Sequence, residues 1–314
     1  MEYTSDAAMA DAAEPTTENC GDYTLTRYGV LTGDNERLTL HRVGTPPFNA
    51  DRPVVVLVHG TYSNRRFWIS RSGKGLAAYL YDRGYDVWIP ETRGHGYSME
   101  GRRYSEWTIR DVVSQDLPSV AGFIQGRVLN QRQRWVGHSY GGVYIVAALS
   151  GGWLSQDNVS AIALFGSQFQ QGQRYLRFAP VTWLLRSTIS GLGRFPARLL
   201  GMGGEDEPPG IMNEAIHWKK TGKWQSLQGD DYGQGLDDIR VPVFAAAGSA
   251  DGLDPPEGCR AFFDSIQAPS KTFCELGRNA GFRKDYQHVD MLIGADAAEE
   301  VWPELEKWLS SESP

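Results

Sequence analysis

The five residues Gly137-His138-Ser139-Tyr140-Gly141 set a serine hydroxyl where it can act as a nucleophile. They follow the strand-like run Arg134-Trp135-Val136 and precede the apolar, helix-like run from Val143 to Leu149. A strand that turns sharply into a helix at G-x-S-x-G holds its serine in a strained backbone, clear of the sheet, with the positive end of the helix beneath it. Glycines two residues to either side remove the Cβ atoms that would obstruct such a turn. A glycine-flanked serine is more often an ordinary turn residue; the strand before it and the helix after it select the reactive reading. The backbone N–H of Tyr140 then points to where an oxyanion forms, and His138 packs beside the turn.

A serine hydroxyl is a poor nucleophile at neutral pH, so it needs a base, and the base needs an acid to hold its useful tautomer. Six histidines are available. In open α/β sheets the reactive groups gather at the carboxyl ends of the strands, which selects an acid just after the Val241–Ala247 run and a histidine in a loop before the last helix. Asp251 and His288 occupy those places. Asp254 competes for the acid's role from the same loop, where a turn or cap carboxylate is the bland alternative. His41 falls in an early hairpin, His95 in a glycine-rich loop and His217 in an insertion, while His59 reads as structural. A tetrahedral intermediate needs a second oxyanion donor, and the Val54–Val58 run ends at His59-Gly60, which offers the N–H of Thr61 beside that of Tyr140. Tyr62, Trp183 and Phe178 are the residues expected to touch substrate.

These groups need a scaffold. Residues 23–28 and 37–43 alternate in apolar character around Thr32-Gly33-Asp34-Asn35 and predict an antiparallel hairpin. Pro53-Val54-Val55-Val56-Leu57-Val58 is a continuous β-branched run, the mark of a strand covered on both faces. Helix-like stretches at 75–81 and 112–124 precede strand-like runs at 85–90 and 134–136. Further strands are predicted at 160–165 and 241–247, and a last helix after Trp302-Pro303 with Leu305, Trp308 and Leu309 inward. The pattern predicts the α/β class: a mostly parallel, doubly wound sheet with helices on both faces. Between Gln168 and Arg240 the alternation stops, and Tyr175, Phe178, Trp183, Leu184, Leu185, Leu192, Phe195, Leu199 and Leu200 are broken by prolines. This reads as an inserted helical cap whose apolar residues seal it to the sheet and together line an entrance to the site. The division expected is a flexible amino end over 1–21, a core of 22–167 and 241–314, and a cap over 168–240.

At 314 residues the chain can bury a large core, and a formal net charge of −7 without a Lys/Arg-rich block argues against nucleic acid as a partner. Cys20, Cys259 and Cys274 are widely spaced, without C-x-x-C, and read as free thiols rather than a disulfide framework or zinc site. The first residues lack the cationic start and apolar stretch of a secretory signal, and no later run is apolar for about 18 residues. A soluble cytoplasmic protein without stable membrane insertion is expected, acting without metal or organic cofactor on an apolar small-molecule acyl substrate. Oligomeric state is not legible.

Together, His59-Gly60, Arg93-Gly94-His95-Gly96-Tyr97-Ser98, Gly137-His138-Ser139-Tyr140-Gly141-Gly142 and Gly248-Ser249-Ala250-Asp251 resemble the α/β-hydrolase superfamily, across residues 22–165 and 238–310. The order serine, aspartate, histidine is that fold's order and differs from those of two unrelated protease folds. More narrowly, Arg37-Leu38-Thr39-Leu40-His41-Arg42, Asp116-Leu117-Pro118 and Asp285-Tyr286-Gln287-His288-Val289-Asp290 resemble the acid-lipase-like branch. That resemblance implies an esterase or lipase working through a Ser139-His288-Asp251 triad and an acyl-enzyme. The chain departs from acid lipases, which are secreted or lysosomal, in lacking a visible signal and in carrying Thr61-Tyr62 after His-Gly instead of an apolar residue. The same triad can serve a thioester, lactone, amide or carbon–carbon bond, or acyl transfer to an alcohol. Dehalogenase and epoxide hydrolase relatives place an aspartate at the turn, where this chain has Ser139; a non-catalytic ligand-binding protein on the same scaffold is the alternative from another class, and it would normally carry a damaged triad.

Overall fold

A computed structural model describes residues 14–98, 103–128, 131–171 and 179–312. Its centre is a sheet of nine strands in the order β1-β2-β3-β5-β4-β6-β7-β8-β9. β1 (Thr16–Cys20), β2 (Tyr23–Leu31) and β3 (Arg37–Val43) form an antiparallel meander, and β3 runs antiparallel to β5 (Asp86–Glu91). From there the pairing is parallel through β4 (Val54–Val58), β6 (Gln133–His138), β7 (Val159–Phe165), β8 (Val243–Gly248) and β9 (Lys271–Leu276).

The reason β4 lacks alternation is visible in its packing. Val54, Val56 and Val58 enter one buried cluster and Val55 and Leu57 the other, so both faces of the strand are roofed. Burying each such side chain contributes about 1.5–3 kcal/mol. Helix α1 (Leu76–Asp82) lies on one face; α2 (Ile109–Asp111) passes through a π turn at Val112–Asp116 into α3 (Leu117–Gln125) on the other, joined there by α4 (Tyr140–Ser150). A capping box on Thr108 starts α2: its hydroxyl takes the N–H of Asp111 and the Asp111 carboxylate takes that of Thr108. Between β7 and β8 lie α5 (Ala179–Leu192) and α6 (Pro209–Thr221), and the chain ends through α7 (Pro256–Ser265) and α8 (Trp302–Ser311), with Leu305, Trp308 and Leu309 buried. No helix among the described residues is long and apolar enough to cross a membrane.

One expectation needs correction. The amino end, read as loose over 1–21, contributes β1, whose residues 16–20 pair with β2. Thr16-Thr17-Glu18-Asn19-Cys20 lacks an apolar alternation because β1 is an edge strand, and its largely exposed side chains bury little. β9 escaped the sequence reading for the same reason, since it closes the opposite edge and is largely half-exposed.

Candidate active site

β6 delivers Ser139 at its carboxyl end, and the backbone there bends as the sequence requires. Ser139 has φ 54° and ψ −128°. A side chain in that region is strained by about 1–3 kcal/mol, held here by the strand on one side and the helix on the other. Two close approaches demand the glycines: a Cβ on Gly137 would lie 2.4 Å from Gly142 Cα, and one on Gly141 2.4 Å from the carbonyl oxygen of Val58. The Ser139 N–H donates to the Phe165 carbonyl at 2.7 Å, fixing the turn to β7.

β4 brings the neighbouring loop. His59 is fully buried and its imidazole is pushed down to about 3 by burial and by the nearby His95. It is therefore neutral, with Nδ1 donating to the Gly60 carbonyl at 2.8 Å and Nε2 accepting the Thr92 N–H at 3.3 Å. Gly60 abuts the turn so closely that a Cβ would stand 2.9 Å from Ser139 Cβ. Among the described residues neither the Thr61 N–H nor the Tyr140 N–H has an acceptor; Tyr140 follows the serine, and Thr61 follows Gly60, which abuts it.

The loops after β8 and β9 supply the other two groups. His288 Nδ1 donates to Asp251 Oδ2 at 2.7 Å, while Asp251 Oδ1 accepts the N–H groups of Leu253 and Asp254, each at 2.9 Å. Burial opposes the imidazolium, but the Asp251 hydrogen bond and the charges of Asp254 and Asp251 outweigh it and raise His288 above its ordinary value. The ring also sits 4.6 Å from that of His138, whose Nε2 donates to the His288 carbonyl at 2.8 Å; burial holds His138 neutral.

The serine hydroxyl itself is not turned to His288. Ser139 Oγ donates to Asp254 Oδ2 at 3.5 Å, and the same oxygen lies 3.8 Å from His288 Nε2. Asp254 is thus a member of the site, beside the His288–Asp251 pair rather than in place of it. Its Oδ1 accepts from the Gln168 amide and lies 4.0 Å from Lys219 Nζ on α6. Gln168 and Lys219 escaped the sequence reading, since only the fold brings them to this loop.

Described residues between β7 and β8 pack against the site. The Trp218 ring of α6 stacks on Tyr140 with centroids 5.8 Å apart and planes 6° from parallel, and it joins Phe169, Trp224 and Tyr232 in a buried aromatic group. Glu207, fully buried, takes the Tyr62 N–H at 2.6 Å and the His95 Nε2–H at 2.8 Å, and the Glu205 N–H donates to the Tyr62 carbonyl. Tyr62, at φ 61°, therefore clasps this segment to the loop after β4, with its ring 5.6 Å from that of Phe195. Trp183 is 70% exposed on α5, and Leu184, Leu192, Leu199 and Leu200 are exposed as well, whereas Phe195 is buried with Ile189, Met212 and Ile216. Phe178 and Tyr175 lie outside the described residues. A cleft of about 430 Å³ between Asn64, Phe67, Arg198, Glu205 and Ile293 opens next to the site, where Phe67 stacks on His138 at 4.4 Å. Among the described residues no group of three His, Cys, Asp or Glu side chains is placed to hold a metal.

The arrangement can take a proton from an oxygen nucleophile and hold a developing negative oxygen beside it. A model of the alpha/beta hydrolase family matches residues 55–306. Lipase 3 of Drosophila melanogaster is 29% identical over 171 residues, 49% of this chain and 43% of that protein. Gastric triacylglycerol lipase of Bos taurus is 33% identical over 131 residues, 38% of this chain and 33% of that protein. The chain thus spans less than half the length of these curated relatives. The crystal structure of a monoacylglycerol lipase from Paleococcus ferrophilus superposes with a TM-score of 0.60 at 18% identity, over 88% of this chain and 99% of that one, a likeness of fold.

Proposed function

Because the chain belongs to the alpha/beta hydrolase family, we propose that it is a serine hydrolase cleaving carboxylic esters through an acyl-enzyme on Ser139. The observation that carries this reading is the combination of a strained serine turn with a half-buried imidazole whose Nδ1–H is fixed on Asp251 at 2.7 Å. That bond leaves the lone pair on Nε2, the nitrogen on the serine's side.

In the reaction the Ser139 hydroxyl turns from Asp254 to His288, whose Nε2 takes its proton as Oγ bonds to the ester carbonyl carbon. The carbonyl electron pair moves to oxygen, which the Thr61 and Tyr140 N–H groups stabilise; such donors contribute about 3–4 kcal/mol each. Collapse expels the alcohol with the proton from His288, and the same relay then works in reverse with water. Residues 168–240 serve as a cap over the acyl group, with Tyr62 closing the joint and Trp183 presenting an apolar surface outside. The lipase names among the relatives support an apolar acyl chain.

The test is a panel of acyl esters, thioesters, lactones and amides assayed against the wild type and Ser139→Ala. Ester turnover that Ser139→Ala abolishes is expected. Turnover confined to another bond type would move the proposal to that substrate, and full activity in Ser139→Ala would end it.

A further inference from the structure

Asp254 has no part in the relay above, yet it is the group the nucleophile touches. Its carboxylate is buried, the Gln168 amide donates to Oδ1, the Lys219 ammonium lies 4.0 Å from the same oxygen, and the residue's backbone N–H is anchored on Asp251 Oδ1. Lys219 is itself tied to the Gln171 carbonyl, which also accepts from Gln168 at 2.8 Å. A buried carboxylate is costly unless its oxygens are engaged. Oδ2 is the oxygen left facing the reacting atoms, 3.5 Å from Ser139 Oγ and 3.8 Å from His288 Nε2.

Once Ser139 is acylated it has no hydrogen to offer Asp254. The acceptor that discharges the acyl group must set its oxygen near Nε2, which takes its proton, and against the carbonyl carbon bonded to Oγ. An oxygen in that position lies within reach of Oδ2. Water has two O–H bonds, one for Nε2 and one for Oδ2. A monohydric alcohol has only one, which must go to Nε2, and Oδ2 is then left without a partner.

Resting on the serine hydrolase reading, we propose that Asp254 selects water over simple alcohols as the acyl acceptor, so that the site hydrolyses rather than transfers. One O–H of water breaks as Nε2 takes the proton, the new O–C bond forms, and the carbonyl pair moves to the oxyanion. The Oγ–C bond then breaks, His288 returns the proton to Oγ, and the second O–H stays on the product acid. Asp254 accepts a hydrogen bond throughout and gains no proton.

The experiment measures how the acyl-enzyme from p-nitrophenyl butyrate partitions between butyric acid and methyl butyrate in methanol–water, for the wild type, Asp254→Asn and Asp254→Leu. The ratio is internal to active molecules, so a poorly folding variant still reports. A hydrogen bond to a charged group sets the scale at about tenfold or more, and the ester-to-acid ratio should rise by that factor in both variants. Asn must behave like Leu, because the Gln168 amide donor and the nearby Lys219 charge favour its oxygen at that end and turn its nitrogen, a donor, toward the site. Ratios within twofold of wild type, a rise in Leu alone, or an acyl-enzyme that neither water nor methanol discharges would overturn the proposal. Phenyl butyrate serves as the control for the underlying reading: a partition ratio that changes with the leaving group would deny a shared acyl-enzyme, a failure distinct from that of Asp254.

Discussion

Asp251→Asn is the substitution whose effect the geometry specifies most fully, because the two oxygens of this carboxylate have different partners. Oδ1 faces two backbone donors, the N–H groups of Leu253 and Asp254, while Oδ2 faces His288 Nδ1. An asparagine must keep its oxygen at the two N–H groups, which aims its amide nitrogen at Nδ1. A donor there makes Nδ1 the acceptor and puts the ring proton on Nε2, the nitrogen that must receive the serine proton. The fold should survive, since both backbone donors keep their acceptor, but the base is disarmed. Loss of the correct tautomer in a serine triad costs about ten-thousandfold in kcat, or about 5 kcal/mol. The assay is steady-state hydrolysis of a p-nitrophenyl ester at neutral pH, with thermal unfolding as the check on folding. A loss below about tenfold in a protein that melts like the wild type would refute the orienting role of Asp251.

Other outcomes follow from the same contacts. His288 is raised from its ordinary value and must be neutral to act, so the acid limb of kcat/KM should lie above that of an ordinary histidine. The groups facing that ring are Asp251, Asp254, Lys219 and His138, and removing the Asp254 charge should move the limb to lower pH; a limb that stays in place in Asp254→Leu would contradict the contact. Glu207→Gln should lower stability by about 2–3 kcal/mol in urea unfolding, because it removes the charge opposite buried His95. His95 is raised in the folded protein, where burial works against its charge but Glu207 and Glu205 prevail. The pair's contribution is therefore full below about pH 6.5, where the unfolded histidine is charged, and is lost as pH rises through the raised folded value. In Glu207→Gln that part of the pH slope should vanish, and an unchanged slope would show that the clasp does not titrate.

What the sequence made legible was the part of the molecule where local pattern and tertiary role coincide. Val54–Val58 reads as a doubly covered strand because every residue is apolar, and the serine turn reads from its glycines because backbone collides with backbone at both. The edge strands β1 and β9 carry no such signal, since a half-exposed strand accepts polar residues at many places. His288 and Asp251, which meet at 2.7 Å, are selected by their position after strands, but nothing in the sequence gives Asp254 its contact with the serine. Its place in the site depends on Gln168 and Lys219, which the fold brings from the loop after β7 and from α6. The tryptophans between β7 and β8 divide in the same way: Trp218 on α6 and Trp224 in the loop after it are buried in aromatic packing, whereas Trp183 on α5 is exposed, a distinction set by tertiary packing.

Intact-mass and peptide analysis after reaction with a fluorophosphonate reads the nucleophile's chemistry at a single atom. Ser139 should carry a single adduct, formed rapidly in the wild type, slowly in Asp251→Asn and not at all in Ser139→Ala. An unlabelled Ser139 in a protein that turns over esters, or an adduct on another residue that accounts for the activity, would contradict the account.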